Sequence, residues 1–215
     1  MRQRPSNPPL RIACLLLAGL LPACAAAAQG VGDRGVVRSL AEMRAEHVVL
    51  QRWDLSCGAA ALATLLNFQH GDPADEREVA LGLMGRAEYL ADPALVRARQ
   101  GFSLLDLKRF VEQRGYRGVG LGRLDLADLE ARAPIMTPIV QAGYSHFVVF
   151  RGRLGDRVLL ADPAFGTRTL LVEQFERAWV AVGALGRVGF TVARRDGLPP
   201  PDRLTARPEE FPALD

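Results

Sequence analysis

Cysteine is scarce in this 215-residue chain: there are three, and Cys14 and Cys24 both stand near the N-terminus. A disulfide framework across the remainder is excluded, because Cys57 is the only thiol left there. Histidine is as sparse: His47, His70 and His146 lack metal-ligand spacing, and no second cysteine joins them, so no metal or other cofactor is expected. No internal run approaches the roughly 18 apolar residues that cross a bilayer, so no integral span is expected. The Gly-x-Ser-x-Gly elbow of serine hydrolases is missing. Gly118-x-Gly120-x-Gly122 does not match the dinucleotide fingerprint.

Excess charge is lacking too. The formal charge is +3, and Arg2, Arg4 and Arg11 account for all of it. Those arginines precede the apolar run Ile12 to Leu21, then Pro22 and the small residues Ala23 to Ala28. This is the layout of a secretory signal peptide over residues 1–28, too short for a stable membrane anchor. Cleavage after Ala28 satisfies the small-x-small requirement. A competing cut before Cys24 would follow Leu21-Pro22-Ala23, a loose lipobox, and would make Cys24 a lipid anchor. Export to the periplasm is the expectation in either case. The remainder is near neutral, which gives no licence for a nucleic-acid partner.

What is present is ordinary for one globular domain, with 49% apolar and 24% charged residues. Gln29 to Arg34 reads as a flexible lead-in. Ser39 is placed to cap a short helix through Glu46, with Glu42 as capping-box partner. His47 to Leu50 reads as a short strand. From Cys57 to Phe68 the sequence is helical and apolar nearly all round, so this helix should be buried. Gly71-Asp72-Pro73 stops it, which places His70 in an exposed turn. A second helix covers Asp75 to Met84, and residues 85–100 read as a mobile polar connection. Ser103 caps an amphipathic helix that ends at Gly115. A strand over Arg117 to Leu121 and a helix over Ala127 to Arg132 follow.

The second half changes period. Strands are expected at Pro134–Gln141, His146–Arg151, Arg157–Ala161, Thr167–Val172 and Arg187–Ala193, with a helix at Gln174–Trp179. Gly155-Asp156 signals a hairpin. Helices followed by an antiparallel sheet give an α+β fold over residues 29–195. Residues 196–215, with Pro199, Pro200, Pro201 and Pro208, are expected to form a loosely ordered tail.

Cys57 lies where the loop Trp53-Asp54-Leu55-Ser56 runs into the buried helix. There the free amides and the macrodipole favour a thiolate, while Gly58 and Ala59 keep bulk away. The alternative is a buried structural cysteine. Gln51, upstream, is placed to complete an oxyanion hole with the Cys57 amide. His146 opens a strand beside a glycine-containing loop, as a general base would. Asp162, in Asp162-Pro163 after the partner strand, would be returned beside it by the hairpin to hold the imidazole. Asp-Pro is also a common turn opener. Trp53 and Tyr144 flank this cleft and are candidates for contacting a substrate, with core packing the alternative for Trp53. Trp179 is expected in the core.

Taken together, Gln-x5-Cys-Gly, a distant His-Phe-Val-Val and a later Asp-Pro-Ala-x-Gly resemble the bacteriocin-processing cysteine peptidases. These are the papain-like domains that remove double-glycine leaders, often fused to ABC exporters. The resemblance covers about residues 45–193. It implies Cys57 as nucleophile, His146 as base, Asp162 as orienting residue and Gln51 as oxyanion donor. It also implies a polypeptide substrate. Ser56 stands where many exporter-linked members carry an acidic residue. The signal peptide and the lack of exporter spans read as a stand-alone, exported member acting on a secreted or surface-assembled protein. The alternatives are a peptidase-like module that binds a secreted polypeptide without cutting it, and an acyl transferase that uses an amine as acceptor.

Overall fold

The computed structural model describes residues 39–99, 101–141 and 143–211. The expected signal peptide, the lipid-anchor candidate Cys24 and the lead-in before Ser39 lie outside the described residues. Ser39 and Glu42 exchange side-chain-to-backbone bonds of 3.1 and 2.8 Å, the expected capping box, at the head of α1 (Leu40–Ala45). Helix α2 (Cys57–Thr64) is buried at every position and continues as a wider turn over Leu65–Gln69. Its small residues let it lie directly on the sheet. Asp75 caps α3 (Glu76–Met84) through the Glu78 amide at 2.7 Å. Short helices α4 (Ala87–Ala91) and α5 (Ala94–Ala98) lead to α6 (Leu104–Gln113), which opens with a Ser103–Asp106 capping box.

Six strands follow: β1 (Tyr116–Leu121), β2 (Ile135–Gln141), β3 (Tyr144–Leu154), β4 (Arg157–Asp162), β5 (Gly166–Leu171) and β6 (Gly189–Arg194). They form one antiparallel sheet in the order β1-β6-β2-β3-β4-β5. Helix α7 (Leu126–Arg132) precedes β2, and α8 (Val172–Ala178) follows β5. The side-chain alternation of β-strands divides the core between the two faces. Met136, Val149, Ala161 and Phe190 join the cluster built on α2, Leu83, Leu107 and Val111. Ile135, Ile139, Val148, Phe150 and Leu160 join Leu129, Phe175 and Trp179 of the other cluster. Helices therefore cover both faces, with the larger group built from the first half of the chain. The α+β reading holds. No described helix is long and apolar enough to cross a membrane.

Three local expectations are corrected. His47–Leu50 forms no strand. The Val49 amide is taken by Thr64 Oγ1 at 2.9 Å and the Gln51 amide by the Pro163 carbonyl at 2.9 Å, so no ladder partner remains for a strand. Residues 85–99 are helical rather than a plain connection, because Tyr89 is fully buried and its hydroxyl donates to Asp106 Oδ2. His70 is buried rather than exposed, with Nε2 3.2 Å from the Val192 carbonyl and its ring 5.0 Å from that of Tyr116. Burial also lowers its basicity.

The proline-rich stretch read as a loose tail is anchored over residues 202–210. Leu204 is fully buried. The buried guanidinium of Arg151 donates from Nε to the Leu204 carbonyl at 2.8 Å and from Nη2 to Glu210 Oε2 at 2.9 Å. An arginine in the middle of a strand needs acceptors, and this segment supplies them. Leu204→Ala should destabilise the domain by about 2–5 kcal/mol in urea unfolding. A loss below about 0.5 kcal/mol would show that the segment contributes no anchor.

Candidate active site

The loop into α2 sets the first wall of the site. Ser56 stands at the N-cap position without a side-chain cap bond, so the opening amides of the helix are not taken by its hydroxyl. Cys57 is buried where Gly58, the next residue, packs against the Phe147 side chain of β3. Gly58 is what permits this approach, because a Cβ there would lie 3.3 Å from Phe147 Cδ2. Burial pushes the thiol up from its ordinary value, the backbone amides of Phe147, Gly58 and Cys57 oppose the rise, and the Asp162 carboxylate adds to it. Burial thus opposes the ionisation that the helix N-terminus favours.

His146 is the neighbour of Phe147, so the strand packed against Gly58 also carries the imidazole. Nε2 of His146 lies 3.2 Å from Asp162 Oδ2. The hydrogen bond of the ring runs through Nε2 to Asp162. The β3–β4 hairpin makes the His146–Asp162 pairing, as read from the sequence. Asp162 has no exposed surface. Its Oδ1 accepts the Ala164 amide at 2.9 Å, and its Oδ2 accepts Nε and Nη2 of Arg168 at 2.9 and 2.6 Å. Burial pushes this carboxyl up, but the bond and charge of His146, the Arg168 cation and the Ala164 amide outweigh it and hold it below the usual carboxylate value.

Gln51 is half-buried at the other end of the nucleophile loop. Its amide ties it to Pro163, next to Asp162, and its side-chain Nε2 lies 3.3 Å from the Trp53 carbonyl. Trp53 is 46% exposed and so is not a core residue. It lines a cavity of about 290 Å³ with Leu55, Ser56, Met84, Val96 and Phe102. Tyr144, two residues before His146, is 78% exposed. Trp179 is in the core, as expected, with its indole N–H donating to the Val188 carbonyl at 3.0 Å.

Sequence reading missed three contributors. Arg168 stacks under Phe165, 4.8 Å from the ring centroid, and also donates to Gln141 Oε1. Its partnership with Asp162 was legible in principle: Arg168 pairs with Leu160 across the β4–β5 ladder, so it sits diagonal to Asp162 on one face. Phe165 places its ring 6.4 Å from that of His146. Glu76, on α3, accepts bonds from the nucleophile loop. Nothing local marks it apart from any acidic residue in a first helical turn.

A helix that begins at a buried cysteine, laid on an antiparallel sheet that carries a His–Asp pair, is the papain-like arrangement of the cysteine peptidases. The frame resembles that of a double glycine motif protease from an AMS/PCAT transporter, solved in complex with the leader peptide. That match has a TM-score of 0.53 and 22% identity, covering 68% of this chain and 90% of the other. The peptidase domain of Streptococcus ComA, a bi-functional ABC transporter, gives a TM-score of 0.54 at 15% identity, covering 69% and 98%. Residues 45–185 match the Peptidase C39 family. The chain is 40% identical over 173 residues to the probable functional amyloid protease FapD of Pseudomonas aeruginosa, covering 80% of this chain and 74% of the relative. The chain belongs to the Peptidase C39 family and is a cysteine peptidase.

The depressed Asp162 carboxyl carries a sign that can be measured. Its ionised form stabilises the fold above about pH 4, the ordinary carboxylate value, and that contribution is lost as pH falls through the lower folded value. The Tm advantage of wild type over Asp162→Asn should shrink as pH is lowered from about 5 to about 2.5. An advantage that stays constant across that range would remove the carboxylate from the stability of the fold.

Proposed function

We propose that this chain is an exported endopeptidase of the periplasm that cuts a secreted or surface-assembled polypeptide by a Cys–His–Asp mechanism. The observation that carries the mechanism is the buried Cys57 at the head of a helix whose Gly58 packs against Phe147, one residue from an imidazole held by a buried carboxylate. In this reading Nδ1 of His146 takes the thiol proton, and the sulfur attacks the peptide carbonyl carbon. The carbon–sulfur bond forms as the carbonyl electrons move onto oxygen. The Cys57 amide and the side chain of Gln51 hold that oxyanion. His146 then protonates the leaving amine as the carbon–nitrogen bond breaks. Water, deprotonated by the same imidazole, releases the acyl group and restores the thiol.

Asp162 keeps Nε2 as the protonated nitrogen, which leaves Nδ1 free to accept. Because burial favours the neutral thiol, the imidazole is required for deprotonation rather than being an accessory to it. The substrate class rests on the relative named as a functional amyloid protease, which supports a client among proteins assembled outside the cell. The N-terminal signal-like sequence supports the same compartment. Trp53 and Tyr144, exposed beside the nucleophile loop and ahead of His146, are the side chains proposed to meet the polypeptide.

Comparing secreted polypeptides from cells carrying wild type or Cys57→Ala by mass should reveal a product that only wild type makes. Cleavage of that client by purified Cys57→Ala should fall at least about 10³-fold with the fold intact. Persisting cleavage at the wild-type rate would refute the thiol mechanism. A wild type that binds the client but leaves its mass unchanged would favour a binding role.

A further inference from the structure

Glu76 is 4% exposed, at the first position of α3, and is absent from the Cys57, His146, Asp162 and Gln51 set. Among the described residues every hydrogen bond to its carboxylate comes from the loop between Gln51 and Cys57. The Arg52 amide donates to Oε1 and Oε2 at 2.9 and 3.0 Å, the Trp53 amide to Oε1 at 3.4 Å, and the Ser56 hydroxyl to Oε1 at 2.5 Å. The carboxylate thus spans the loop from its first residue to its last. The Ser56 hydroxyl also lies 2.6 Å from the Trp53 carbonyl, which in turn is the acceptor for Gln51 Nε2.

The loop needs such a clamp. Leu55 holds a φ of +68°, a left-handed conformation that a leucine rarely adopts and that persists only where the surroundings impose it. Both proposed oxyanion donors lie at the ends of this loop: the Gln51 side chain at its start and the Cys57 amide at its finish. Oxyanion stabilisation depends on donors held within a few tenths of an ångström of the developing charge. A buried carboxylate needs donors, and here the available donors are the amides and hydroxyl of the loop itself.

We propose that Glu76 is a positioning residue that fixes the Gln51 and Cys57 oxyanion donors by clamping the Arg52–Ser56 loop. The proposal rests on the cysteine-peptidase mechanism given above, and deepens it. It separates two reactions of one sulfur. Acylation by an ester passes through an oxyanion. Alkylation by iodoacetamide is displacement of iodide at a saturated carbon and forms none.

The experiment measures both reactions on the purified protein. Acylation is followed by p-nitrophenol release from the p-nitrophenyl ester of N-acetylglycine, and alkylation by mass after iodoacetamide treatment. The variants are Glu76→Gln, Ser56→Ala, Gln51→Ala and the Glu76→Gln/Gln51→Ala pair, with Cys57→Ala as background. Glu76→Gln should slow acylation about ten- to hundredfold while leaving alkylation within about twofold of wild type. Ser56→Ala, which leaves no buried charge unpaired, should lower acylation in the same direction and also spare alkylation. The pair should lose little more than Gln51→Ala alone, because both changes act on one group of donors. Parallel losses in both reactions for Glu76→Gln and Ser56→Ala would reduce Glu76 to a structural role and overturn the proposal. Unchanged acylation in both would overturn it as well. Wild type that is acylated no faster than Cys57→Ala would overturn the underlying mechanism instead, and the proposal with it.

Discussion

A carboxylate with no exposed surface must be compensated, and much of the site follows from how Asp162 meets that requirement. Leaving such a charge unpaired would cost several kcal/mol, as a substantial share of the stability of a domain this size. The fold supplies an imidazole from β3, a guanidinium from β5 and an amide from the turn between β4 and β5. Each donor comes from a different part of the chain, so the register of three strands is tied to one group. Oδ2 is shared by His146 and Arg168. The arginine therefore balances the carboxylate whether or not the imidazole carries a second proton. In the proposed mechanism this lets Asp162 stay ionised throughout the reaction.

The opposite wall is built on a second buried carboxylate, and the two are joined by a single backbone bond. Glu76 gathers the loop that leads into α2, while the Gln51 amide at the start of that loop donates to Pro163, the residue after Asp162. Helix α2 contributes a different constraint. Its small residues and Gly58 let it approach β3 closely enough to bury the sulfur, with Gly58 against the Phe147 side chain. Burial and amide donation act in opposite directions, with burial ahead. In the proposed mechanism the nucleophile is thus formed by transfer to His146 during the reaction and is not held ready as a free thiolate.

Much of this frame was legible in the residues. Apolar side chains all round the segment after Cys57 meant a buried helix, and the Ser39 and Ser103 caps fixed two helix starts. Period-two alternation with Gly155-Asp156 gave the hairpin that pairs His146 with Asp162. The failures share a cause, since each depended on a partner far away in sequence. His47–Leu50 has the composition of a strand, but Thr64 takes its Val49 amide and Pro163 the amide of Gln51 just after it. Residues 85–99 look polar because Tyr89 is outnumbered, yet one buried tyrosine bonded to Asp106 anchors them. His70 follows a turn signal but is covered by Tyr116 and β6. Glu76 was invisible for the same reason: burial of a charge is a property of packing, and no local pattern encodes it.

Chemistry and substrate choice are therefore separable on this frame. Solved structures at 15 and 22% identity share its backbone, which shows that the helix-on-sheet arrangement tolerates wide change in side chains. The groups proposed to do the chemistry are buried or half-buried, and His146 and Asp162 are bonded to each other. Trp53 and Tyr144 lie at the surface, and neither side chain bonds either carboxylate. In the proposed function they meet the client without being bonded to the reacting groups. Phe165 is different. It is half-exposed like Trp53, but its face covers Arg168 and its edge approaches His146. A change there would alter the desolvation of the cation that balances Asp162. Among the exposed aromatic side chains around the cleft, Phe165 is the one whose freedom to vary is limited by the chemistry behind it.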